Sequence, residues 1–458
     1  MPEHTRPARG MRDFLPEDVR RRDYVIAVIK DVYRGYGFEP LETPALENIE
    51  TLTGKYGEEG SKLIFKVLRR GDHEGSGDVD LALRYDLTVP LARVVAEYRG
   101  RLPRFFKRYQ IQPVWRADRP ARGRFREFYQ CDVDVIGSRS LVVEAELCAA
   151  ASDVLQRLGF ADFVVKLNHR GVLTGLLDAA GVRADLHAAA LVALDKMDKI
   201  GPEGVQRELE ARGIPATTLT ETFARISAAG RGESSRDEAN RAVIGELYGV
   251  LGEHDSAVAV DDLREIVELC GATTAGPHLQ VDVTLARGLS YYTGAIMEIA
   301  VRDLAGSLGG GGRYDDLIGM FLGEKIPACG FSLGLERILV VMTERRMFPP
   351  GVQDAAADAI VTLFEGEPVE EALRLAAELR SRGIRVETYP EPAKLGKQFK
   401  YAGDRGIRFA VILGPDERTR QQVTIKNLET GEQSAVPREE VAERVAAGTE
   451  RNAAHPGV

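Results

Sequence analysis

The chain has 458 residues, of which 44% are hydrophobic and 29% charged, a composition typical of a globular protein with two or three domains. No apolar run approaches the roughly 20 residues of a membrane-spanning helix, and the polar N-terminal segment MPEHTRPARG lacks the apolar region of a secretory signal. The four cysteines are scattered with no Cys-x-x-Cys pair, which predicts reduced thiols in a cytoplasmic protein and no structural metal ion.

The first 170 residues alternate between helical and extended patterns. Apolar residues at helical spacing predict a helix from Glu17 to Arg34. The segment 37–47, GFEPLETPALE, contains two prolines and is predicted to be extended at a sheet edge or an interface. The same kinds of pattern predict strands at 81–83 and Phe163–His169 and helices at Val89–Tyr98 and Leu141–Leu158.

The stretch Arg104–Gly137 is the most informative part of the chain. Nine Arg and Lys residues fall between Arg101 and Arg126, against a single acid, Asp118. Apolar and polar residues alternate on both sides of a turn at Pro120–Gly123, which predicts two antiparallel strands joined by a basic loop. Arginines directed into one groove suit a polyphosphate, because guanidinium stays charged and binds phosphate bidentately. The alternative is a solvated basic hairpin, and the net charge of −9 excludes neither, since local patches decide such binding.

The composition and the hydrophobic spacing of the chain change at residues 171–277. Ala, Leu, Glu and Arg dominate there at helical spacing, which predicts a mostly helical insertion. Strand patterns resume at Leu279–Thr284, Ala295–Arg302 and Leu308–Gly312, and Cys329–Met342 is predicted to be a strand that enters a helix. The insertion is therefore expected to interrupt a sheet.

A second boundary is predicted at the Pro/Gly-rich linker Phe348–Asp354. Beyond it, short apolar strands such as DAIVTLF at 358–364 alternate with helices such as Val369–Arg382, which is typical of an α/β domain with a mixed sheet. The predicted domains are a core formed by 1–170 and 278–347, an insertion at 171–277 and a C-terminal domain at 354–458.

Four short segments carry residue types that are unusual for positions that only pack a core. Each alone has an ordinary structural interpretation, because a lone Asp in a strand is usually a surface residue and adjacent tyrosines usually lie in a core or interface. The Gly309–Gly312 run lacks G-x-G-x-x-G spacing, which disfavours a dinucleotide fold and favours close approach of a ligand to the backbone or a strained strand. The four segments are RYDLT at Arg84–Thr88, FREFYQCDVD at Phe125–Asp134, ARGLSYYTG at Ala286–Gly294 and GFSLGLER at Gly330–Arg337.

In order and spacing these segments resemble the class II aminoacyl-tRNA synthetases and, among them, the histidyl-tRNA synthetase family. GFEPLETPALE resembles class II motif 1, VWRADRPARGRFREFYQ motif 2 and GFSLGLERI motif 3, while RGLSYYTG and GGGGRYDDL resemble the two histidine-specific signatures. LGKQFKYAGDRGIRFAVILGPDE resembles the family's anticodon-binding domain. The resemblance covers nearly the whole chain. It implies an α+β catalytic core, with an antiparallel sheet of about six strands flanked by helices, a helical insertion and a C-terminal α/β anticodon-binding domain.

The implied activity is ATP-dependent attachment of L-histidine to tRNA(His) through a histidyl-adenylate, with release of AMP and pyrophosphate. Charge builds on the α-phosphate during adenylation, so fixed cations there lower the barrier. By resemblance, Arg116 and Arg287 are these catalytic cations, and Arg287 stands where other class II enzymes place a metal ion. Arg337 should bind the γ-phosphate, Arg124 should lie near the β/γ end, and Phe128 should stack on adenine. Mg²⁺ is expected with the phosphates of ATP, and its protein ligands stay unassigned.

The resemblance also implies a histidine pocket. An ammonium group needs acceptors, which Asp86 and Thr88 would supply, and Gln130 is similar to a family residue that contacts the amino acid. Asp134 and Tyr292 would bind the two imidazole nitrogens. The full set implied to bind histidine is Asp86, Thr88, Arg116, Gln130, Asp134, Arg287, Tyr291, Tyr292 and Tyr314.

Further partners follow from the same resemblance. A homodimer is expected to form through Glu17–Glu47, and the helical insertion is expected to clasp the acceptor arm of the tRNA. The anticodon is expected to bind the C-terminal domain with its bases splayed and stacked. The basic residues proposed for that contact are Arg385, Lys394, Lys397, Lys400, Arg405 and Arg408.

Two other interpretations remain open at this point. A non-catalytic regulatory subunit of ATP phosphoribosyltransferase shares this fold, but such proteins generally lack the C-terminal domain and the catalytic arginine. Class II synthetases for threonine, proline or glycine share the three motifs, but they lack the RGLSYY and GGGGRYDDL pair.

Overall fold

The computed structural model describes residues 5–56, 60–69, 77–194, 196–286, 291–352 and 356–453. The chain divides into two compact units, Met1–Met347 and Phe348–Val458. In the described ranges no helix is both long enough and apolar enough to span a membrane.

The strands of the first unit form two sheets. In chain order the described strands are β1 (Glu39–Pro40), β2 (Leu46–Asn48), β3 (Lys66–Leu68), β4 (Val79–Leu83), β5 (Phe106–Trp115), β6 (Glu127–Ile136), β7 (Val164–His169), β8 (Leu279–Val281), β9 (Ala295–Ala300), β10 (Ser307–Arg313) and β11 (Ala328–Gly334). The order β2-β4-β3 gives a small antiparallel sheet. The other eight strands form a large sheet in the order β1-β5-β6-β11-β10-β9-β7-β8.

The large sheet is antiparallel at its centre and has a parallel pair at each edge, β1 with β5 and β7 with β8. The predicted class II core is confirmed, with eight strands where about six were expected. The parallel pairing of β7 and β8 follows from the helical segment that connects them, because parallel strands require a long crossover connection. The hairpin of β5 and β6 pairs continuously from Phe106↔Ile136 to Trp115↔Glu127, as the alternating pattern predicts.

Helices cover one face of this sheet. In chain order the described helices of the first unit are α1 (Pro16–Gly35), α2 (Ile49–Leu52), α3 (Thr88–Tyr98), α4 (Val142–Arg157), α5 (Arg170–Ala179), α6 (His187–Leu194), α7 (Met197–Glu210), α8 (Thr217–Ala229), α9 (Arg236–Leu251), α10 (Ala257–Gly271), α11 (Gly319–Leu322) and α12 (Leu335–Glu344). Helix α1 buries Val25, Ile29 and Val32, which are spaced to share one side of the helix. Its Tyr33 hydroxyl donates to the Cys131 carbonyl of β6 at 3.2 Å.

Helices α5 to α10 run between β7 and β8, where the helical insertion is predicted. The polar stretch AAGRGESSRDEANR at 228–241 covers the last two residues of α8, the connection 230–235 and the first six residues of α9. The hydroxyl of Ser235 caps α9 by accepting the Glu238 backbone N–H at 3.2 Å. The limits of this segment as a separate domain remain a prediction.

A buried ion pair joins α4 to the end of β10. Glu144 accepts two bonds from Arg313, with Oε1 2.6 Å from Nε and Oε2 2.8 Å from Nη2. Replacing Glu144 with alanine is expected to lower the free energy of unfolding by about 3–5 kcal/mol, because buried Arg313 would keep only the more distant Asp315, at 3.4 Å, as an acidic partner. Glu146→Ala on the same helix is the control; it pairs with Lys107 at a partly exposed site and should cost at most about 1 kcal/mol. Equal losses in chemical denaturation would contradict this prediction.

The second unit is an α/β domain, as predicted. Its described elements are strands β12 (Ala359–Val361), β13 (Val386–Thr388), β14 (Phe409–Ile412), β15 (Gln422–Asn427) and β16 (Gln433–Pro437) and helices α13 (Val369–Ser381), α14 (Leu395–Asp404), α15 (Pro415–Thr419) and α16 (Val441–Ala453). The sheet order is β13-β12-β14-β15-β16, with β12 parallel to both neighbours and the remaining pairs antiparallel. Sequence patterns did not reveal β16, because three of its five residues are exposed and the strand lacks apolar alternation.

Candidate active site

One cleft in the first unit collects the predicted site residues. It encloses about 990 Å³, counting the space open to solvent. Arg287, the predicted second catalytic cation, lies outside the described residues, as does Ser290 of the same signature. The predicted residues that line the cleft are Asp86, Thr88, Arg116, Arg124, Phe128, Gln130, Asp134, Tyr291, Tyr292, Tyr314 and Arg337.

The floor of the cleft is the face of the large sheet that carries the polar side chains of β6. Gln130, Asp132 and Asp134 alternate along β6, so they project from the same face. Glycines opposite them leave room: a Cβ on Gly330 would lie 1.9 Å from Asp134 Oδ1. A Cβ on Gly311 would similarly lie 2.0 Å from the Gly330 carbonyl oxygen. The glycine run is therefore a strand packed closely against its neighbour, and it also borders the cleft.

A fully buried arginine, Arg108, lies beneath the acids. Its Nη2 is 2.9 Å from Asp134 Oδ2 and 4.0 Å from Asp132 Oδ2. Burial raises the pKa of both carboxyls, and the positive charge of Arg108 opposes that shift. The Tyr314 hydroxyl donates to Asp134 Oδ1. Asp134 is thus held rigidly between a cation and a phenol, which suits it to receive a polar group at a fixed position.

Asp86 lies just before helix α3 and lines the cleft. Its Oδ1 accepts bonds from the Tyr56 hydroxyl and the Val89 N–H, both at 3.0 Å. Its Oδ2 is buried and has no hydrogen-bond partner among the described residues. Burial raises the pKa of Asp86, opposed by its bond from Val89 and by the charge of Arg116. A buried acceptor of this kind is suited to a donor carried by a ligand.

The cleft is also lined by cationic and aromatic side chains. Arg116 donates from Nε to the Tyr85 carbonyl at 3.0 Å, which leaves its terminal nitrogens for other acceptors. The centre of its guanidinium lies 5.2 Å from the centroid of the Phe128 ring. Arg337, at the start of α12, donates to the Ser307 carbonyl. An arginine beside an aromatic ring, with a second arginine in the same cleft, can bind a polyphosphate and a planar base together.

The prediction for the basic hairpin needs one correction. Of its nine cations, only Arg116 and Arg124 line the cleft. Arg108 is an internal partner of the acids, Lys107 pairs with Glu146 at 2.8 Å, and Arg122 bonds Glu344 at 3.0 Å. Charge alone could not separate these roles, because they depend on which face of the hairpin each side chain occupies.

Sequence reasoning also missed four polar residues of the site: Arg108, Asp132, Ser332 and Glu336. Alternation along β6 was the available signal for Asp132, since it lies between two predicted residues on one face. Glu336 accepts the Tyr129 N–H at 2.9 Å through Oε2, and its Oε1 is buried with no hydrogen-bond partner among the described residues. Burial raises the pKa of Glu336 to about 7.

The segments predicted as class II motifs meet at this cleft. Residues of 114–130 and 330–338 line it directly. Segment 37–47 is tied to the site through Arg84, whose Nη1 donates to the Thr43 carbonyl at 2.6 Å and whose Nε donates to the Pro113 carbonyl at 2.8 Å. A mainly antiparallel sheet that joins these three segments around buried acids and arginines defines the core of a class II aminoacyl-tRNA synthetase.

Comparison with known proteins narrows the class to one family. The family model described as histidyl-tRNA synthetase matches residues 10–338, and the anticodon binding domain model matches residues 358–447. The chain therefore belongs to the histidyl-tRNA synthetase family.

Relatives of the chain agree along its length. The histidine–tRNA ligase of Gloeobacter violaceus is 43% identical, with 93% of this chain and 95% of the relative covered. That of Cytophaga hutchinsonii is 40% identical over 95% of this chain and 98% of the relative. The crystal structure of histidyl-tRNA synthetase from Nostoc sp. PCC 7120 aligns with a TM-score of 0.80 at 32% identity. The alignment covers 97% of this chain and 99% of that chain.

One solved structure bears on the regulatory alternative. A Bacillus halodurans protein described as an ATP phosphoribosyltransferase regulatory subunit/histidyl-tRNA synthetase aligns with a TM-score of 0.72, covering 90% of this chain and 99% of that protein. Its identity of 24% shows a shared fold and nothing more.

Proposed function

We propose that this chain attaches L-histidine to tRNA(His) with ATP, through a histidyl-adenylate, and releases AMP and pyrophosphate. The observation that carries the proposal is the mixed lining of one cleft. Buried acids and tyrosines line it together with Arg116, Arg124, Arg337 and Phe128. This arrangement suits an amino acid with a polar side chain placed against the α-phosphate of ATP.

The buried acids and tyrosines of the cleft are proposed to bind histidine. Asp86 Oδ2 and the Thr88 hydroxyl accept from the ammonium, and the Gln130 carbonyl contributes a third acceptor. Asp134 accepts from one imidazole nitrogen and Tyr292 bonds the other. Tyr291 and Tyr314, both buried, enclose the ring.

The arginines of the cleft and Phe128 are proposed to bind ATP. Arg116 contacts the α-phosphate and stabilises the charge that develops there as the histidine carboxylate attacks and pyrophosphate leaves. Arg124 and Arg337 bind the β- and γ-phosphates, and Phe128 stacks on adenine. The role of Arg287 as the second α-phosphate cation rests on the family signature and stays a prediction.

Mg²⁺ is proposed to accompany the ATP phosphates, where it would neutralise charge on the departing pyrophosphate. The residues that fit it are carboxylates of the cleft, Asp118 and Glu336, since Mg²⁺ prefers substrate phosphates plus one or two carboxylates. No cluster of three or more potential metal ligands occurs among the described residues.

The tRNA is proposed to contact the helical insertion with its acceptor arm and the second unit with its anticodon. Of the six basic candidates, Arg385, Arg405 and Arg408 each pair with an acid, at 2.5, 3.2 and 3.0 Å from Asp358, Glu387 and Glu429. Lys394, Lys397 and Lys400 are exposed at and along α14. These three lysines are the stronger candidates for contact with the tRNA backbone.

The active form is proposed to be a cytoplasmic homodimer that associates through Glu17–Glu47. Sedimentation at micromolar protein concentration is expected to show a dimer. A monomer at that concentration would refute the proposed interface.

Amino-acid-dependent ATP–pyrophosphate exchange, measured with all twenty amino acids, tests the proposed function. Exchange with histidine alone is the expected result, because adenylation and pocket specificity are read in the same assay. Exchange with another amino acid would mean that the pocket is wrongly assigned on a correct fold. An absence of exchange would favour the regulatory role, and binding to ATP phosphoribosyltransferase would then be measured.

A further inference from the structure

We propose that Asp132 and Ser332 are positioning residues that fix the orientation of the Gln130 side-chain amide. Through them, the Gln130 carbonyl oxygen is held toward the cleft, where it accepts a hydrogen bond from the ammonium of histidine. The inference rests on the proposed function and gives a role to two residues, Asp132 and Ser332, to which the sequence analysis assigned none.

The chain of bonds begins at Asp132. This carboxylate is 2% exposed and lies directly opposite Ser332 in the pairing of β6 with β11. Side chains directly opposite each other in an antiparallel pair lie close together, and the interaction with the Ser332 hydroxyl lowers the pKa of Asp132. Because an ionised carboxylate can only accept, a bond between these two groups requires the hydroxyl proton of Ser332 to point toward Asp132.

The direction of the next bond follows from the first. With its proton committed, Ser332 Oγ can only accept, and Gln130 Nε2 donates to it at 2.9 Å. The two ends of an amide have nearly the same shape, so packing alone does not choose between them. The carboxylate therefore sets the amide, with the nitrogen toward Ser332 and the oxygen away from it.

The freed oxygen is placed for a ligand. Gln130 is 8% exposed, and its Oε1 is buried with no hydrogen-bond partner among the described residues. Gln130, Asp132 and Ser332 all line the cleft that Asp86 borders. An ammonium bound by Asp86 can satisfy this oxygen, whereas the opposite orientation of the amide would present a donor to a donor.

The charge of Asp132 is supported from below. Arg108 Nη2 lies 4.0 Å from Asp132 Oδ2, and an arriving ammonium adds a second positive charge. Both favour the ionised carboxyl against burial, which raises the pKa of Asp132. Asp134 and Asp86 are the other acids near this group, and they act in the same direction as burial.

Ser332→Ala tests the proposal in histidine-dependent ATP–pyrophosphate exchange. The KM for histidine is expected to rise about 10- to 100-fold, with the KM for ATP unchanged, because a bond to a charged group is lost. Ser332→Thr keeps the hydroxyl and lies opposite Gly310, which leaves room for the added methyl group, so it should restore the KM. Ser152→Ala is the matched control: this serine is fully buried, bonds the Cys148 carbonyl at 2.8 Å and lies outside the cleft.

A double-mutant cycle separates positioning from general packing. If Ser332 acts through Gln130, then Ser332→Ala should change the KM for histidine by no more than about 2-fold in a Gln130→Ala background. If the fold-changes in the KM for histidine of the two single variants multiply in the double variant, the proposal is overturned. Should Ser332→Ala fail to fold, Asp132→Asn gives a second test, because an amide at 132 no longer forces the direction of the serine proton. An unchanged KM for histidine in that variant would overturn the role of the carboxylate.

A histidine analogue identifies the group that Gln130 contacts. 3-(Imidazol-4-yl)propanoate lacks the ammonium, so its inhibition constant should be equal in wild-type protein and Ser332→Ala. A parallel rise of this constant and of the KM for histidine would place the amide on another group and refute the inference. Failure of the wild-type protein to exchange with histidine would instead refute the proposed function, so the two failures are distinguishable.

Discussion

Replacing Arg116 with alanine is expected to lower the turnover number of histidine activation by about 10²- to 10³-fold, with a small change in the KM for histidine. Arg116 lies beside Phe128 and keeps its terminal nitrogens for the cleft while Nε is bonded to the Tyr85 carbonyl. Charge on the α-phosphate grows only as the adenylate forms, so a cation fixed there stabilises the transition state more than the bound substrates.

The matched control for this prediction is Arg122→Ala. Arg122 belongs to the same basic loop, but it bonds Glu344 and the Asp303 carbonyl outside the cleft, the latter at 2.9 Å. Its loss should change turnover by no more than about 2-fold, as expected for an exposed ion pair. Single-turnover formation of the adenylate is the decisive measurement. Turnover in Arg116→Ala within 3-fold of wild type would exclude a transition-state role.

The fold was largely predictable because its elements have strong local signals. The hairpin of β5 and β6 alternates apolar and polar residues over ten paired positions, and α1 carries apolar residues at helical spacing. The parallel pairing of strands at the edges of the large sheet was harder to predict from the sequence. It depends on which strands a long connection brings together, and strands of two or three residues such as β1 and β8 carry too little pattern to show this.

The site was predicted through the family motifs, and the residues that the motifs do not emphasise were missed. Arg108 was counted among the cations of the hairpin, because sequence shows its charge but not its burial beneath Asp134. Ser332 gave no signal, since its importance comes from pairing with Asp132 across two strands separated by about two hundred residues. Buried networks of this kind depend on tertiary register, which local patterns do not encode.

Replacing Asp86 with asparagine is expected to raise the KM for histidine about 100-fold while the protein keeps its stability. The amide oxygen can still accept the bonds from Tyr56 and the Val89 N–H, so the local structure is preserved. The amide nitrogen would replace Oδ2 in the cleft. It would present a donor to the ammonium of histidine, where an acceptor is required.

The direction in which Asp86→Asn changes the free energy of unfolding can be predicted from the pKa of Asp86. Burial raises the pKa of Asp86, so the folded chain binds this proton more tightly than the unfolded chain. The contribution of Asp86 to the free energy of unfolding therefore falls as pH rises from the unfolded pKa, near 4, through the folded pKa. At neutral pH the ionised group opposes folding, and Asp86→Asn should have a melting temperature equal to or above that of wild type. The difference should shrink on acidification through that range.

Asp162→Asn is the control, because this acid is outside the cleft and its pKa is lowered by a bond from Arg345. The KM for histidine should not change in this variant. Asp162→Asn should lower the free energy of unfolding at neutral pH, opposite to Asp86→Asn. The ion pair with Arg345 stabilises the fold above the unfolded pKa of Asp162, and this contribution is lost as pH falls. Loss of histidine activation together with retained or increased thermal stability would identify Asp86 as a group kept for binding at the expense of folding. An unchanged KM in Asp86→Asn would remove it from the histidine site.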